Sequence, residues 1–426
     1  MPSLVTKTRD SIYQLLRWIE KYTKTDMVYL AKGGLWLTVS KVVGIFTSLA
    51  LSIAFANMLS KESYGVYKYI ISFAGILSIP TLVGMNDSLS RSIAKGYEGS
   101  LWSVIKTKIR WGIIGIAGGL ALAGYYFYQE NYLLGLGFLV IALLSPIMDS
   151  VIMHGAYLQG KKKFKLLSIL NSISQVTTVA AIIIALIFSK NVPLIILSSY
   201  GTNFTVRGLA FLYTLRRYPP NNKIDSSTIA FGKHLSVMQI FSGIVNNIDK
   251  ILMWHLVGPV ELAVYSFALA PVNQGKSFLR SLTTLAFPKL AQQDPKILRQ
   301  TLLPKIARLC ALMAIFVAAY ILLAPYLYRV LFPSYMDAIL YTRYYALYIF
   351  LFPLSLVGST FVAQGQHRYL YILRTATPAV KIGLLLILLP LFGIAGAIAS
   401  LLVATAFNSM LAMYLFLKPQ TAHEEH

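Results

Sequence analysis

The feature that most constrains this chain is a series of twelve apolar stretches, each long enough to cross a lipid bilayer. An α-helix of about 20 apolar residues spans the roughly 30 Å of hydrocarbon. The stretches are continuous rather than alternating in polarity, which excludes the strands of a membrane barrel. The sequence therefore predicts an all-α polytopic membrane protein of about 12 transmembrane helices. We place them at 33–56, 66–86, 108–128, 133–154, 166–188, 192–214, 234–256, 262–286, 303–324, 339–362, 370–390 and 393–417.

The composition of the chain agrees with a membrane environment and excludes several other classes of protein. Only 12% of the 426 residues are charged, whereas soluble domains carry about 25%. The net charge of +23 would indicate nucleic acid in a soluble protein, but here most cations lie in short loops between apolar stretches. A single cysteine excludes a disulfide framework, and the histidines lack the spacing of metal ligands. We expect no nucleic acid, no metal and no cofactor.

Basic residues of the loops lie mostly on one side of the membrane. The N-terminal arm and every second loop hold 27 Lys and Arg residues, and this set includes Lys108 at the start of the third stretch. The opposite loops hold five, Lys61, Lys68, Lys190, Arg329 and Arg343. Because cytoplasmic loops carry an excess of Lys and Arg, both termini are predicted to be cytoplasmic. Residues 1–30 are predicted to form a basic amphipathic arm on the membrane surface.

Two pairs of similar segments predict that the chain consists of two related halves. Leu59–Tyr67 is similar to Val257–Tyr265, and Tyr157–Phe164 is similar to Val362–Tyr369. Both offsets are about 200 residues, and chance similarity between segments rich in Tyr and Gly is the alternative. We predict two six-helix lobes related by a pseudo-two-fold axis along the membrane normal. The predicted parts are the N-lobe at 31–214, a cytoplasmic linker at 215–233, the C-lobe at 234–417 and a tail at 418–426.

Charged residues inside the apolar stretches need a reason, because each costs at least about 2.5 kcal/mol near the bilayer centre. Cations outnumber acids there about two to one, so ion pairs within the membrane cannot use all of them. Guanidinium and ammonium groups suit phosphate oxygens. We therefore predict a central cleft that binds an anionic headgroup through Lys41, Arg207, Lys250, Lys276 and Arg280.

Helical spacing places polar residues on the same faces as these cations. We predict that the cavity is lined by Ser48, Gln239, Asn246 and Asn273. We predict that Arg91 and Lys381 lie at the cytoplasmic mouth and that Asp249 and Asp149 are coupling or structural acids. The alternative for each cation is that it extends to the lipid headgroups or pairs with an acid.

Several segments resemble a known family. They are Asn246–Leu252, Leu256–Pro259, Val264–Ala268, Val83–Ala94 and Ala286–Leu290. Their sequences resemble those of the polysaccharide-biosynthesis transporters, a branch of the multidrug/oligosaccharidyl-lipid/polysaccharide exporter superfamily. The similarity also covers the number of spans, the repeat and the short loops.

This resemblance implies a flippase for undecaprenyl-pyrophosphate-linked oligosaccharide, either an O-antigen or another polysaccharide repeat unit. The protein would move its substrate from the cytoplasmic to the outer leaflet of the bacterial inner membrane by alternating access, with the pyrophosphate on the predicted cations. The expected partners are the lipid-linked glycan and the bilayer, and the protein is expected to act as a monomer. Polysaccharide polymerase and chain-length machinery are candidate protein partners.

Two other functions stay open at the level of sequence. A drug/cation antiporter of the same superfamily would need acidic residues in its cleft, and this chain has more buried cations than acids. A membrane-embedded polysaccharide polymerase or ligase would need a sizeable outer loop with catalytic residues, and the outer loops here are short. Because no nucleophile stands at a fixed spacing from a base, we predict that the protein is not an enzyme.

Overall fold

The computed structural model describes residues 27–292, 295–363 and 366–418. Within them, side chains are described at 34–277, 279, 301–362, 366 and 368–418. The described chain consists of helices and turns without any strand, which confirms the predicted all-α fold. Residues 1–26 of the predicted arm, the tail beyond 418 and the side chain of Arg280 lie outside the described residues.

Fourteen α-helices make up most of the described chain. They are α1 (Met27–Met58), α2 (Lys61–Leu77), α3 (Met85–Ala94), α4 (Ser100–Tyr128), α5 (Tyr132–Val151), α6 (Met153–Gly160), α7 (Phe164–Phe188), α8 (Val192–Arg217), α9 (Ser227–Leu256), α10 (Pro259–Gln292), α11 (Pro295–Leu331), α12 (Ala338–Leu351), α13 (Ser355–Ala363) and α14 (His367–Leu417). Short 3₁₀ helices occur at Ile79–Thr81, Pro333–Tyr335 and Phe352–Leu354. Each predicted apolar stretch falls on one or two of these helices.

The helices differ in length and in hydropathy, so only some of them meet the requirements of a membrane span by composition alone. Seven helical segments of the described chain are long and apolar enough to span a bilayer, and counting the bent pair of α2 and α3 as one span gives an eighth. Polar and charged residues interrupt α8, α9 and α10. The 51-residue α14 is broken at Gly393, whose φ of +56° is one that residues with side chains rarely adopt. This break lies where the sequence predicts the turn between the last two spans.

Polar caps define the starts of several helices at the end predicted to face outward. Ser60 accepts a hydrogen bond from the Ser63 backbone N–H at the start of α2. Asn131 and Asn191 cap α5 and α8 in the same way. These side chains satisfy backbone N–H groups that have no partner within the helix, so each apolar stretch begins at a fixed residue.

The first eight helices pack mainly on one another, the last six do the same, and the bent pair of α2 and α3 connects the two sets. This bent pair runs antiparallel to α9, with α3 beside the start of α9 and α2 beside its end. Ser88 donates to the Thr228 carbonyl at one end, and Tyr69 pairs with His255 at the other. Between them, the Gly84 N–H donates to Ser236. The division into two lobes related by a pseudo-two-fold axis stays a prediction.

Close contacts join the two halves of the chain at the predicted outer end. The rings of Phe55, Tyr64, Tyr67, Phe267 and Tyr335 form what we call the outer aromatic cluster, with successive centroids 3.9 to 5.2 Å apart.

Two polar contacts and one close helix crossing flank this cluster. Lys61 and Asp337 form a salt bridge of 2.6 Å, and Asn57 donates to the Leu331 carbonyl at 3.2 Å. A Cβ on Gly65 would lie 1.9 Å from the carbonyl oxygen of Pro259, so only glycine permits this approach of α2 to α10. The described structure is therefore closed at the predicted outer end.

At the predicted cytoplasmic end, Glu98 ties three loops together in what we call the cytoplasmic clasp. Its carboxylate forms a 2.8 Å salt bridge with Lys161 and accepts hydrogen bonds from the Tyr157 hydroxyl and the Asn221 N–H. Asn221 donates in turn to the Gly96 carbonyl. The clasp fixes the start of the predicted linker against the first half of the chain.

The clasp is expected to weaken only in acid. Burial opposes ionisation of Glu98, but the hydrogen bond and charge of Lys161, with the hydrogen bonds of Asn221 and Tyr157, hold its pKa below the ordinary value of 4.5. A lowered carboxyl pKa stabilises the folded state above the ordinary value, and this stability is lost as the pH falls through the folded pKa. The free energy involved is about 1 kcal/mol or less, because the pair is partly exposed.

Glu98→Gln should therefore lower the thermal midpoint of the purified protein slightly at neutral pH. The difference from the wild type should shrink as the pH falls below 4.5. Glu130→Gln, on an exposed loop at the other end, is the control. It should change neither the thermal midpoint at neutral pH nor its dependence on pH. A difference that stays constant from neutral to strongly acidic pH would show that the carboxylate charge does not stabilise the clasp.

Candidate functional site

A cluster of charges lies inside the first half of the chain, between α4, α5 and α8. Asp149 on α5 accepts a 2.6 Å hydrogen bond from Thr81 and interacts electrostatically with both Lys108 and Arg207. The Arg207 guanidinium also donates to Asn203, one turn away on α8, at 2.6 Å. Two cations thus share one carboxylate, and the cluster keeps a formal charge of +1.

Lys108 belongs to this cluster rather than to a cytoplasmic loop, so the prediction for this residue is wrong. Its side chain is only 1% exposed, in the third turn of α4. It lies on the face of α4 that carries Gly112 and Gly115, which pack against Pro146 and the backbone of Leu77. The loop assignment failed because α4 begins at Ser100, eight residues before the predicted span.

A second cluster lies inside the other half of the chain, around Asp249. This residue is 4% exposed and accepts a 2.6 Å hydrogen bond from the Tyr265 hydroxyl. Lys250 lies 4.0 Å from its other carboxylate oxygen, and Lys381 also interacts with it electrostatically. Lys381 is itself fixed by a 2.6 Å hydrogen bond to the Val245 carbonyl. One carboxylate oxygen of Asp249 thus accepts a hydrogen bond, the other is buried without a donor, and the two neighbouring cations exceed the single negative charge.

Lys276 on α10 adds a third cation on this side of the chain. Its ammonium lies 3.7 Å from the ring centre of Tyr348, and both residues line a cavity of about 280 Å³ together with Ser355 and Ser359. Lys276 is close enough to repel Lys381 electrostatically. Lys276 and Arg280 are the predicted phosphate-binding pair on α10. Lys276 lies at this cavity, whereas the side chain of Arg280 lies outside the described residues.

The polar residues predicted to line the cavity occupy three different environments. Gln239 and Asn246 line a cavity of about 250 Å³ between α2 and α9. Ser48 on α1 accepts a 2.5 Å hydrogen bond from Gln274 on α10, which joins the two halves of the chain. Asn273 accepts from the Tyr345 hydroxyl at 3.0 Å.

Two of the predicted cations, Lys41 and Arg91, lie apart from these clusters. Lys41 is exposed on α1, one turn from Gly44, which faces Gln175 on α7. Arg91 is exposed, with its guanidinium 4.7 Å from the ring centre of Phe231 at the start of α9. Lys381 donates a hydrogen bond to the carbonyl of Val245. On α9, Val245 lies fourteen residues after Phe231, which is about 21 Å along the helix. Lys381 therefore groups with Asp249 and not with Arg91, so the shared mouth stays a prediction.

Both halves of the chain hold more cations than acids. Asp149 faces Lys108 and Arg207, while Asp249 faces Lys250, Lys381 and, further off, Lys276. In a membrane interior, such an excess favours an anion over a cation as ligand. None of the described groups of His, Cys, Asp and Glu could hold a metal ion.

Sequence reasoning missed several residues of these clusters. Lys108 could have been found from its helical spacing to Gly112 and Gly115, and Asn203 from its position one turn before Arg207. No local pattern marks Thr81, Tyr265 or Tyr348, because each reaches its charged partner from another helix.

Comparison with known proteins agrees with this architecture. The family model described as polysaccharide biosynthesis protein matches residues 30–293, which is more than half of the chain. The chain belongs to this polysaccharide biosynthesis protein family. A Shigella flexneri protein described as a candidate O-antigen transporter is 23% identical over 266 residues. That match covers 55% of this chain and 60% of the relative, so the chain matches about three fifths of the relative's length.

Solved structures with the same fold include transporters and a flippase. The lipid II flippase MurJ in an inward closed conformation has a TM-score of 0.61 at 14% identity, covering 91% of this chain and 88% of MurJ. An inward-facing multidrug resistance MATE transporter of the MOP superfamily has a TM-score of 0.60 at 15% identity, and the match covers 87% of this chain and 94% of that transporter. The eukaryotic MATE transporter AtDTX14 has a TM-score of 0.63 at 15% identity, and the match covers 92% of this chain and 97% of AtDTX14. At 14–15% identity, these structures show that the chain shares the fold of these transporters.

Proposed function

We propose that the protein moves an undecaprenyl-pyrophosphate-linked oligosaccharide from the cytoplasmic to the outer leaflet of the bacterial inner membrane. The observation that carries this proposal is the excess of cations over acids in the charge clusters of both halves of the chain. A pyrophosphate bound beside either cluster would offset that excess. Phosphate oxygens are strong acceptors for ammonium and guanidinium donors, especially where water is scarce.

The two clusters and the polar cavity suggest distinct roles along the path of the substrate. Lys250 and Lys276 would hold the pyrophosphate, with Arg207 on the other half as a further cation along the path. The cavity with Gln239 and Asn246 offers amide and hydroxyl groups for sugars. The polyprenyl chain would stay in the bilayer, since the apolar side chains of α1, such as Phe46, are exposed.

Closure at the predicted outer end supports a carrier rather than a channel. The outer aromatic cluster and the Lys61–Asp337 salt bridge block exit on that side in the described structure. Substrate would enter from the predicted cytoplasmic end, and release would require these contacts to break. An interior-negative potential would assist outward movement of the anion by roughly 2.3 kcal/mol per charge per 100 mV.

An export function for organic cations is the second candidate, because MATE transporters share the fold. A cation would have to bind beside Asp149 or Asp249, and both carboxylates already face more than one cation. The charge balance therefore favours the anionic substrate.

The proposed function is tested by reconstituting the protein in liposomes with lipid-linked oligosaccharide and measuring how much becomes accessible at the opposite leaflet. Lys250→Gln/Lys276→Gln should reduce the initial rate at least about tenfold, because hydrogen bonds to charged groups contribute about 1.5–3 kcal/mol each. Lys190→Gln/Lys223→Gln removes the same charge from exposed positions and should leave the rate unchanged. Equal rates for both variants, or wild-type transport of organic cations instead, would overturn the proposal.

A further inference from the structure

A cavity of about 630 Å³ opens near the predicted cytoplasmic surface, apart from both charge clusters. Three segments form it: the start of α1, the turn from α6 into α7, and the end of α8. Trp36, Lys165 and Arg217 come one from each segment. Nothing in the proposed transport path uses this cavity.

The lining of the cavity is strongly basic. Ten described residues line it, of which four are cations, Lys162, Lys163, Lys165 and Arg217, and none is acidic. The carboxylate of Glu98, in the nearby clasp, is already held by Lys161. The described lining therefore brings four positive charges and no negative charge to the cavity.

Aromatic rings hold two of these ammonium groups in place. The Lys165 ammonium lies 5.2 Å from the ring centre of Trp36, and that of Lys163 lies 5.3 Å from the ring centre of Tyr218. A ring face can take one N–H of an ammonium, which has three, so donors remain for a ligand. Trp and Tyr also concentrate at the depth of lipid headgroups.

Exposed apolar side chains lead from the cavity into the depth of the membrane. Ile169 and Tyr213 line the cavity and are exposed on α7 and α8. One turn deeper on the same helices lie Ile173 and Leu209, and Leu209 is 62% exposed. A ligand that fills the cavity would thus have a phosphate-binding end beside an apolar surface.

We propose that this cavity binds the headgroup of an anionic phospholipid, whose acyl chains lie along Ile173 and Leu209. Basic pockets between helices on the cytoplasmic side recognise such headgroups. A free phosphate would not use the apolar surface. A glycolipid would need amide or carboxylate partners for its sugars, and the described lining has neither; its uncharged polar groups are the hydroxyls of Tyr213 and Tyr218 and the indole N–H of Trp36.

The chain's own N-terminal segment is a poor occupant, because its charge has the same sign as the cavity. Residues 1–26 hold five Lys and Arg residues and three acids, a net charge of +2, namely Lys7, Arg9, Arg17, Lys21 and Lys24 against Asp10, Glu20 and Asp26. Like charges in a site of low dielectric repel. A bound phospholipid would also brace the adjoining clasp, since Tyr157 donates to the carbonyl of Tyr218.

The test is native mass spectrometry of the full-length protein in mixed micelles of phosphatidylglycerol or phosphatidylcholine. The wild type should retain phosphatidylglycerol. The variant Lys163→Ala/Lys165→Ala/Arg217→Ala should lose about tenfold in occupancy or more, since each cation near an anionic lipid contributes substantially to binding. The variant Lys106→Ala/Arg110→Ala/Lys223→Ala removes three exposed cations at the same end and should bind as the wild type does.

Further control experiments test which ligand is bound and whether the substitutions damage the fold. Lys163→Arg/Lys165→Arg should keep the lipid, and the triple alanine variant should keep the wild-type thermal midpoint in phosphatidylcholine. Excess inorganic phosphate should not displace the lipid. Displacement by phosphate, equal retention of phosphatidylcholine, or unchanged occupancy in the alanine variant would each overturn the proposal. Increased lipid occupancy after removal of residues 1–26 would instead identify that segment as the occupant.

Discussion

Replacing Gly65 by valine is expected to open the outer end and to abolish transport. A Cβ at this position would lie 1.9 Å from the carbonyl oxygen of Pro259, and a backbone atom cannot move aside as a flexible side chain can. The two helices must therefore separate, at a cost of about 1–3 kcal/mol. The outer aromatic cluster, which begins with Tyr64 beside this crossing, should lose its packing.

Thiol labelling measures this opening directly. Cys310 is the single cysteine, so Cys310→Ser gives a background without thiols. Ala56→Cys then places a probe at a position that is 1% exposed beside the outer aromatic cluster. A membrane-impermeant reagent should modify it in Gly65→Val and not in the parent.

The matched control for this substitution is Gly124→Val, because nothing lies within 4 Å of a Cβ built there. It adds the same side chain to a helix of the same half and should change neither labelling nor transport. Labelling that is equally slow in Gly65→Val and in the parent, with transport intact, would show that this crossing does not close the outer end.

The second large effect is expected from Asp149→Asn. Removing this carboxylate leaves Lys108 and Arg207 in the membrane interior without the acid that both interact with. Breaking a buried pair in this way costs about 3–5 kcal/mol. We expect a clear fall in the thermal midpoint in detergent and a loss of transport, although Thr81 keeps an oxygen to donate to.

A second substitution should reverse the loss of stability. Asp149→Asn/Lys108→Met leaves Arg207 alone, so the cluster returns to the formal charge of +1 that it has in the wild type. The thermal midpoint should recover most of the way. Asp87→Asn removes an exposed acid and serves as the control, with no expected change. A double variant no more stable than Asp149→Asn would show that the two cations and the acid are not coupled.

Much of the fold could be predicted from the sequence, because a bilayer demands long apolar helices and permits few alternatives. Each predicted stretch lies on described helices, and the turn near Gly393 was visible as a short break between two apolar runs. Helix ends were harder to predict. The helix α4 extends eight residues beyond the predicted span into a basic segment, and this error placed Lys108 in a loop.

The candidate site could be predicted only in part. Counting charges inside the spans identified Arg207, Lys250 and Lys276 and indicated an anionic ligand. It did not indicate that Lys381 would join Asp249 rather than Arg91, because that depends on how α14 packs against α9.

The sequence by itself therefore determined the solvent of this protein, its all-α fold and the excess of cations over acids inside its apolar stretches. These follow from hydropathy and composition, which act residue by residue. The tertiary structure alone decided which cations share which acid, and that Gly65 brings the two halves together at Pro259. Such contacts join residues far apart in the chain, as Thr81 and Asp149 show, and no local pattern encodes them.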